Sequence, residues 1–286
     1  MVLTINFLLA APFVVGLLVL LRPRRRGEAP PADALGAYHL HASRWRTRGL
    51  AAGLAAASCL MFEMSALLAG TVFGVCVLTG VLIGELRAPR PEGTVRAAML
   101  TPRHVRDYLP RRHSLLLGAL VLALTVLLTV VITVTRSTVG PDSFIHAACP
   151  GDVDFVFSQR EILSAVLGVV VCVVGGAGVC LFAVRRIVTR PALPGSPVPD
   201  AADHALRAAS AEAVTLVWGC LVASSLLASA AIASIYLESL TSAPCNNHGL
   251  VAPSILVYLV VAGSAAGLIY LLVHLTRLPG PSGAPA

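Results

Sequence analysis

The sequence contains no lysine, so all 21 of its basic residues are arginine. This absence excludes a Walker A lysine, a Schiff-base lysine and a lysine general base. Charged residues make up only 12% of the chain, whereas a soluble domain carries about 25%. The motifs His-Glu-x-x-His and Gly-x-Ser-x-Gly and the phosphate-binding loop are missing as well. We therefore expect a protein that has no cofactor, is not an enzyme and folds in a solvent other than water.

Apolar residues account for 57% of the chain and are gathered in long runs. A helix needs about 20 such residues to cross the hydrocarbon core of a bilayer. The runs predict an all-α, polytopic transmembrane helix bundle with seven spans, at about 3–21, 49–65, 67–84, 114–135, 161–183, 213–236 and 254–276. We expect a single transmembrane domain over residues 1–276, followed by a short flexible cytoplasmic tail at 277–286.

The run from Gly49 to Glu85 is too long for one crossing, because a helix rises 1.5 Å per residue and the hydrocarbon core is about 30 Å thick. Two helices that turn near Glu63 fit this run better. The turn would place Glu63 in water at the outer surface. If the turn lies a few residues further on, Glu63 is instead a candidate intramembrane relay for protons or cations.

Arginine is distributed unevenly along the chain, and this predicts the orientation of the bundle. Nineteen of the 21 arginines lie in the loops 22–48, 86–113 and 184–212 or in the tail. The positive-inside rule places these segments in the cytoplasm. We thus expect a multi-pass protein of the cell membrane with its N-terminus outside and its C-terminus inside. The first run is uncharged at its start and is followed by "RPRRR", which indicates a retained anchor and not a signal peptide.

The three cytoplasmic loops begin alike, with arginine and proline and then a glycine, and continue into helix-compatible sequence. They predict amphipathic elbows, of which the third would be a helix capped by Asp200 that continues into the sixth span. Such a span-elbow-span unit is either a weak internal repeat or a consequence of shared topology. No nucleic-acid-binding motif accompanies the charge, so we expect anionic lipid headgroups as its partners. The arginines that we expect to contact headgroups are Arg22, Arg24, Arg25, Arg26, Arg111, Arg112, Arg185 and Arg186.

Within the predicted spans, groups that could carry chemistry are few. His274, near the inner end of the last span, is interpreted as an interfacial residue and not as a ligand. Glycines four residues apart, such as Gly70 and Gly74 or Gly263 and Gly267, let helices approach closely. They predict tight packing inside one bundle, with a dimerisation face or a hinge as the alternative.

Two outer loops carry mirrored pairs, His146 and Cys149 in "HAACPG", and Cys245 and His248 in "PCNNHG". The other five cysteines fall within spans, where cysteine behaves as a small apolar residue. Exposed thiols outside the cytoplasm tend to oxidise, so Cys149 and Cys245 predict a disulfide that ties the two loops into a cap. The alternative is a metal site formed by all four side chains, whose types suit zinc.

The lysine-free, alanine- and valine-rich spans and the loop "GELRAPRPEGTVRAAMLTPRHVRDYLPRR" resemble uncharacterised integral membrane proteins of high-GC actinobacteria. The resemblance implies no activity, cofactor or catalytic residue. From the residues themselves we expect a non-enzymatic partner or scaffold subunit with a membrane protein as its partner. The alternatives are a transporter of small molecules or lipids, built on the weak repeat, and a membrane sensor.

We predict that Cys149 and Cys245 are bonded to each other and that His146 and His248 are bystanders. The measurement is the distance between the two sulfur atoms, which is about 2.05 Å in a disulfide. Sulfur atoms well beyond that separation, or a metal ion among the four side chains, would contradict the prediction.

Overall fold

The computed structural model of the chain describes residues 34–62, 66–87, 111–138, 159–189, 200–241 and 251–277. Over these ranges the protein is entirely helical, which confirms the predicted all-α class. The described helices are α1 (Ala34–Phe62), α2 (Ala66–Leu86), α3 (Arg111–Thr138), α4 (Gln159–Thr189), α5 (Asp200–Thr241) and α6 (Val251–Arg277).

Five of these helices, α2 to α6, are long and apolar enough to cross a membrane. Their apolar stretches are Leu68–Leu86, Arg112–Thr133, Ile162–Thr189, Ala205–Ser234 and Ala252–Thr276, which overlap five of the predicted spans. The predicted span at 3–21 lies outside the described residues. The predicted span at 49–65 falls in α1, which is not one of the five.

Helix α1 begins earlier than the sequence analysis expected, at Ala34 instead of near Gly49. Residues 37–48 contain neither glycine nor proline, so no residue stops the helix from extending back through this arginine-containing segment. Likewise, α5 begins at Asp200 and continues without a break for 42 residues. The predicted continuation of the third elbow into the sixth span is therefore confirmed.

Helices α1 and α2 form an antiparallel hairpin, so the run from 49 to 85 is divided between two helices as predicted. Gly49 of α1 lies against Gly80 of α2, and Trp45 lies one turn away against Gly84. A Cβ added at Gly80 would lie 2.5 Å from the Cα of Gly49, closer than real side chains approach. Only glycine permits this contact between the two backbones. Glu63 itself lies outside the described residues.

Helix α5 is the centre of the bundle and packs against α2, α3, α4 and α6. Almost every residue from Ala211 to Ala231 is buried, and Ala223, Ser225 and Ala230 have no exposed surface. Small residues of this kind let several helices approach one axis. The large apolar side chains that remain exposed lie on the outer faces of the surrounding helices, as expected where lipid is the solvent: Leu115, Leu122, Val126, Leu167, Val171, Val174, Leu181, Phe182, Leu256 and Leu259.

The contact between α2 and α5 combines close backbone approach with hydrogen bonds. The hydroxyl of Ser224 donates to the carbonyl of Gly70 at 2.7 Å, and the hydroxyls of Thr71 and Ser225 are 3.0 Å apart. A Cβ at Gly70 would lie 2.2 Å from the carbonyl oxygen of Ser224. The glycine spacing thus serves packing within the bundle at this position. Gly263, by contrast, faces open space.

The helices alternate in direction along the chain. Trp218 of α5 donates its indole N–H to Val173 of α4, and Arg207 of α5 donates to Val188 of α4, so these helices are antiparallel. Leu117 of α3 and Leu271 of α6 both contact the position of Gly219, and α3 runs parallel to α5 whereas α6 runs antiparallel.

One end of the bundle therefore gathers the starts of α1, α3 and α5 and the ends of α2, α4 and α6. We call it the basic end, because every arginine of the described ranges lies there except Arg136 and Arg160. Its exposed arginines are Arg44, Arg48, Arg87, Arg112, Arg185 and Arg186.

We predict that Gly70→Ala destabilises the protein whereas Gly263→Ala does not. The new methyl group at position 70 would overlap the backbone of α5, and overpacking of this kind costs about 1–3 kcal/mol. At position 263 the methyl group meets nothing, and alanine is the better helix former. Thermal unfolding of both purified variants in the same detergent measures the difference. Equal melting temperatures for the two variants would contradict the packing of α2 on α5.

Candidate metal centre

Three polar side chains from three helices meet at the basic end. His113 lies in the first turn of α3, Glu212 lies in the first half of α5, and His274 lies in the last turn of α6. The meeting follows from the packing on Gly219, whose missing side chain leaves room for Leu117 and Leu271. Residues three, four and seven positions apart share a helix face. The faces that bring these leucines to Gly219 therefore also bring His113 and His274 to Glu212.

The carboxylate of Glu212 is the hub of the cluster. Its Oε1 lies 3.2 Å from Nδ1 of His113 and 3.2 Å from Nε2 of His274. The two imidazole rings are 4.8 Å apart between centroids and tilted by 55°. Tyr270, one turn before His274, stacks on that ring at 5.7 Å, and its hydroxyl lies 3.4 Å from Nε2 of His113. The cluster is thus compact, with one oxygen facing two nitrogens.

Burial decreases across the cluster from α3 to α6. The side chain of His113 is 8% exposed, that of Glu212 is 18% exposed, and that of His274 is 38% exposed. Water and small solutes can therefore reach the cluster from the side of α6. The buried Nδ1 of His113 is close to Glu212, yet it has no hydrogen bond of acceptable geometry.

These separations suit a shared metal ion. Zinc binds histidine nitrogen and carboxylate oxygen at about 2.0–2.2 Å, so tetrahedral geometry would put neighbouring ligand atoms about 3.3 Å apart. Both nitrogen–oxygen distances at Glu212 are 3.2 Å, and one ligand atom from each residue fits within a mutual distance of 4.8 Å. Two histidines and a glutamate also form a known set of three zinc ligands that leaves a fourth position for water. Tyr270 would then serve as the outer partner that orients a metal-bound histidine.

Without a metal ion, the same three residues can form a protonated cluster. His274 hydrogen-bonds Glu212 at 3.2 Å, and a protonated imidazole there would form an ion pair with the carboxylate. His113 Nδ1 would then add a second ion-pair contact to the same oxygen, at 3.2 Å. A cation held by all three residues would account for both contacts and for the lack of a well-directed hydrogen bond at that nitrogen.

Only some of the candidate residues named from the sequence lie within the part of the chain that the structure describes. Arg112, Arg185 and Arg186 are exposed at the basic end, and the predicted contacts with headgroups require such exposure. Arg111 begins α3. The remaining candidates lie outside the described residues and stay predictions: Arg22, Arg24, Arg25, Arg26, Glu63, His146, Cys149, Cys245 and His248. The cysteines of the described ranges, Cys59, Cys76, Cys172, Cys180 and Cys220, are free thiols within helices.

The cluster was not evident from the sequence alone, where His274 was predicted to be an interfacial residue and neither His113 nor Glu212 was singled out. Glu212 and His274 are 62 residues apart, and His113 and Tyr270 are 157 residues apart. No local sequence motif therefore indicates the site. One usable signal was present, since Glu212 is the only acidic residue between positions 204 and 237 of a largely apolar helix.

Comparisons of the chain with models of protein families, with curated proteins and with solved structures find no match. Its function is therefore inferred from the chemistry of its own residues. The convergence of His113, Glu212 and His274 is the most specific chemical feature among the described residues.

Proposed function

We propose that this chain is a multi-pass protein of the cell membrane that binds a divalent transition-metal ion between α3, α5 and α6. It acts as a non-enzymatic subunit. The packing of its helices depends on the ion, and the packed helices form the surface that a membrane protein partner contacts. The observation that carries the proposal is the convergence of His113 and His274 on one oxygen of Glu212. Apart from the contact of the Tyr270 hydroxyl with His113, the contacts described between these three helices are mainly apolar.

The donor set defines the class of metal. Two imidazoles and a carboxylate suit zinc and its neighbours cobalt, nickel and iron(II), whereas copper(I) prefers the sulfur ligands that this cluster lacks. Because each ligand comes from a different helix, the ion would hold the start of α3 and the end of α6 against α5. Metal availability would thereby alter the surface of the basic end, which is the behaviour of a sensor or a regulated partner subunit.

Transport is supported less well. A path through the bundle would need further polar groups near the midplane. Helix α5 has no acid, amide or histidine between Glu212 and Glu238, and its middle is buried against its four neighbours. Between Glu212 and Glu238 this central helix offers a metal ion no carboxylate, amide or imidazole. The hydroxyls of Ser224, Ser225 and Thr71 are taken up by contacts between helices.

A second candidate function is metal-dependent hydrolysis at the membrane surface. It is favoured by the open fourth position of a two-histidine, one-glutamate set, which is common in catalytic zinc sites, and by the exposure of His274. Zinc in such a site supplies an activated water molecule. The described cluster holds no second carboxylate to act as a base, so we place this candidate below the binding function.

The proposed topology has seven spans, with the N-terminus outside and the C-terminus inside. The alternating directions of α1 to α6 and the concentration of arginine at one end support it, because arginine remains on the cytoplasmic side. In this topology the metal centre faces the cytoplasm. Cys149 and Cys245 would tie the loops at the opposite end into an exoplasmic cap.

We predict that the purified protein binds one zinc ion per chain and that Glu212→Gln weakens this binding on the order of 100-fold or more, since the variant loses the charged ligand. The protein should be prepared with a histidine-free tag and stripped with a chelator. Calorimetric titration with zinc then gives affinity and stoichiometry. Glu85→Gln is the matched control, because it makes the same chemical change at the basic end on α2, outside the cluster, and it should leave the zinc affinity unchanged.

Zinc at 100 times the wild-type dissociation constant should also raise the unfolding free energy of the wild type by about 2.7 kcal/mol and that of Glu212→Gln by about 0.4 kcal/mol or less. Wild-type affinity in both Glu212→Gln and His113→Ala would refute the metal centre. Retention of one zinc ion together with turnover of a hydrolysable substrate would favour the second candidate.

For the topology, we expect alkaline phosphatase fused after Ala286 to be inactive and a green fluorescent protein fused at the same position to fluoresce. The phosphatase needs an oxidising compartment to form its disulfides, and the positive-inside rule places this terminus in the cytoplasm. An active phosphatase fusion would show that the predicted orientation is inverted.

A further inference from the structure

The α1–α2 hairpin brings two arginines from different helices to one tryptophan at the basic end. The Cζ atom of Arg48 lies 5.1 Å from the ring centroid of Trp45, and that of Arg87 lies 5.6 Å from it. Both arginine side chains are exposed, and Trp45 is half-buried. The tryptophan is fixed in place by Gly84, where an added Cβ would lie 2.8 Å from the Cβ of Trp45. We call these three residues the tryptophan clamp.

Positive charge is in local excess around the clamp. Four arginines, Arg44, Arg46, Arg48 and Arg87, occupy residues 41–48 and 84–87, and Glu85 is the one acidic residue in these two segments. The attraction of each guanidinium to the indole face explains why both arginines lie near the ring. It does not neutralise the charge of either guanidinium group. A bound anion would do so, and guanidinium groups match the paired oxygens of a phosphate.

We propose that the tryptophan clamp binds the phosphate of an anionic phospholipid headgroup. The position of the clamp at the end of the apolar stretch of α2 favours a lipid as the source of the phosphate. The apolar stretch of α2 ends at Leu86, one residue before Arg87, and tryptophan rings commonly lie at the level of the headgroups. A lipid in this position would also cover the small-residue contact between α1 and α2. This site shares no helix with the metal centre, so its test is independent of the test of the proposed function.

The experiment uses the two tryptophans of the chain, Trp45 and Trp218. In a Trp218→Phe background, the fluorescence of Trp45 is the only tryptophan signal. The full-length protein is placed in bilayers of phosphatidylcholine that contain increasing fractions of brominated phosphatidylglycerol, and quenching of Trp45 is measured. Brominated phosphatidylcholine in the same proportions gives the reference for a lipid that does not bind specifically.

We expect phosphatidylglycerol to compete for the position beside Trp45 about tenfold better than phosphatidylcholine, and Arg48→Ala/Arg87→Ala to abolish this preference. The matched control is Arg185→Ala/Arg186→Ala, which removes the same charge from exposed positions on α4 at the same end. The control should keep the preference. Equal loss in both double variants would show that only the general charge of the surface attracts the lipid, and would overturn the proposal.

Free phosphate is the alternative source of the same chemistry. If inorganic phosphate at millimolar concentration removes the preference for phosphatidylglycerol, the clamp is a site for soluble phosphate and the lipid assignment is wrong. Native mass spectrometry of protein with both tryptophans intact gives a second readout that does not depend on Trp218→Phe. The clamp variant should retain less bound phosphatidylglycerol than the wild type.

Discussion

The architecture depends on burying one long helix, α5, among four others. A buried helix in a membrane gains little from the hydrophobic effect, because lipid is as apolar as the neighbouring side chains. Close backbone contact and hydrogen bonds between helices have to supply the stability instead. The alanines and serines of α5, Gly70 opposite Ser224, and Gly219 beneath Leu117 and Leu271 provide that closeness. The positions of α2, α3, α4 and α6 all follow from their fit to this helix.

The same constraint explains why chemistry is concentrated at one end. A charged group in the middle of the bundle would be costly, and the middle of α5 holds hydroxyls instead, which bond to adjacent backbone or to one another. Near the basic end the helices remain packed, but Glu212 is partly exposed, and His113 and His274 reach it. The proposed metal site and the packing on Gly219 are therefore two results of one arrangement of α3, α5 and α6.

The tryptophan clamp lies at the same end but on the other side of the fold, on the α1–α2 hairpin. Its geometry again depends on glycine, since Gly84 leaves the space that Trp45 fills. With the two proposed sites, the basic end would respond to two conditions, the availability of a metal ion and the composition of the surrounding lipid. An assembly that responds to both would suit a subunit that serves a partner better than a carrier of substrate.

Local sequence was enough to predict the helical class, five of the apolar stretches, the division of the run from 49 to 85 into two helices, and the gathering of the described arginines at one end. These features follow from local composition and from the thickness of a bilayer. They do not depend on how the helices are arranged relative to one another. Tertiary structure decided the rest. Glycines at the same spacing either contact a neighbouring helix, as at Gly70, or face open space, as at Gly263. His113, Glu212 and His274 are distant in sequence, and only the packing of three helices on Gly219 brings their ligand atoms within 4.8 Å of one another. Side-chain convergence depends on helix register, which hydrophobic runs do not encode.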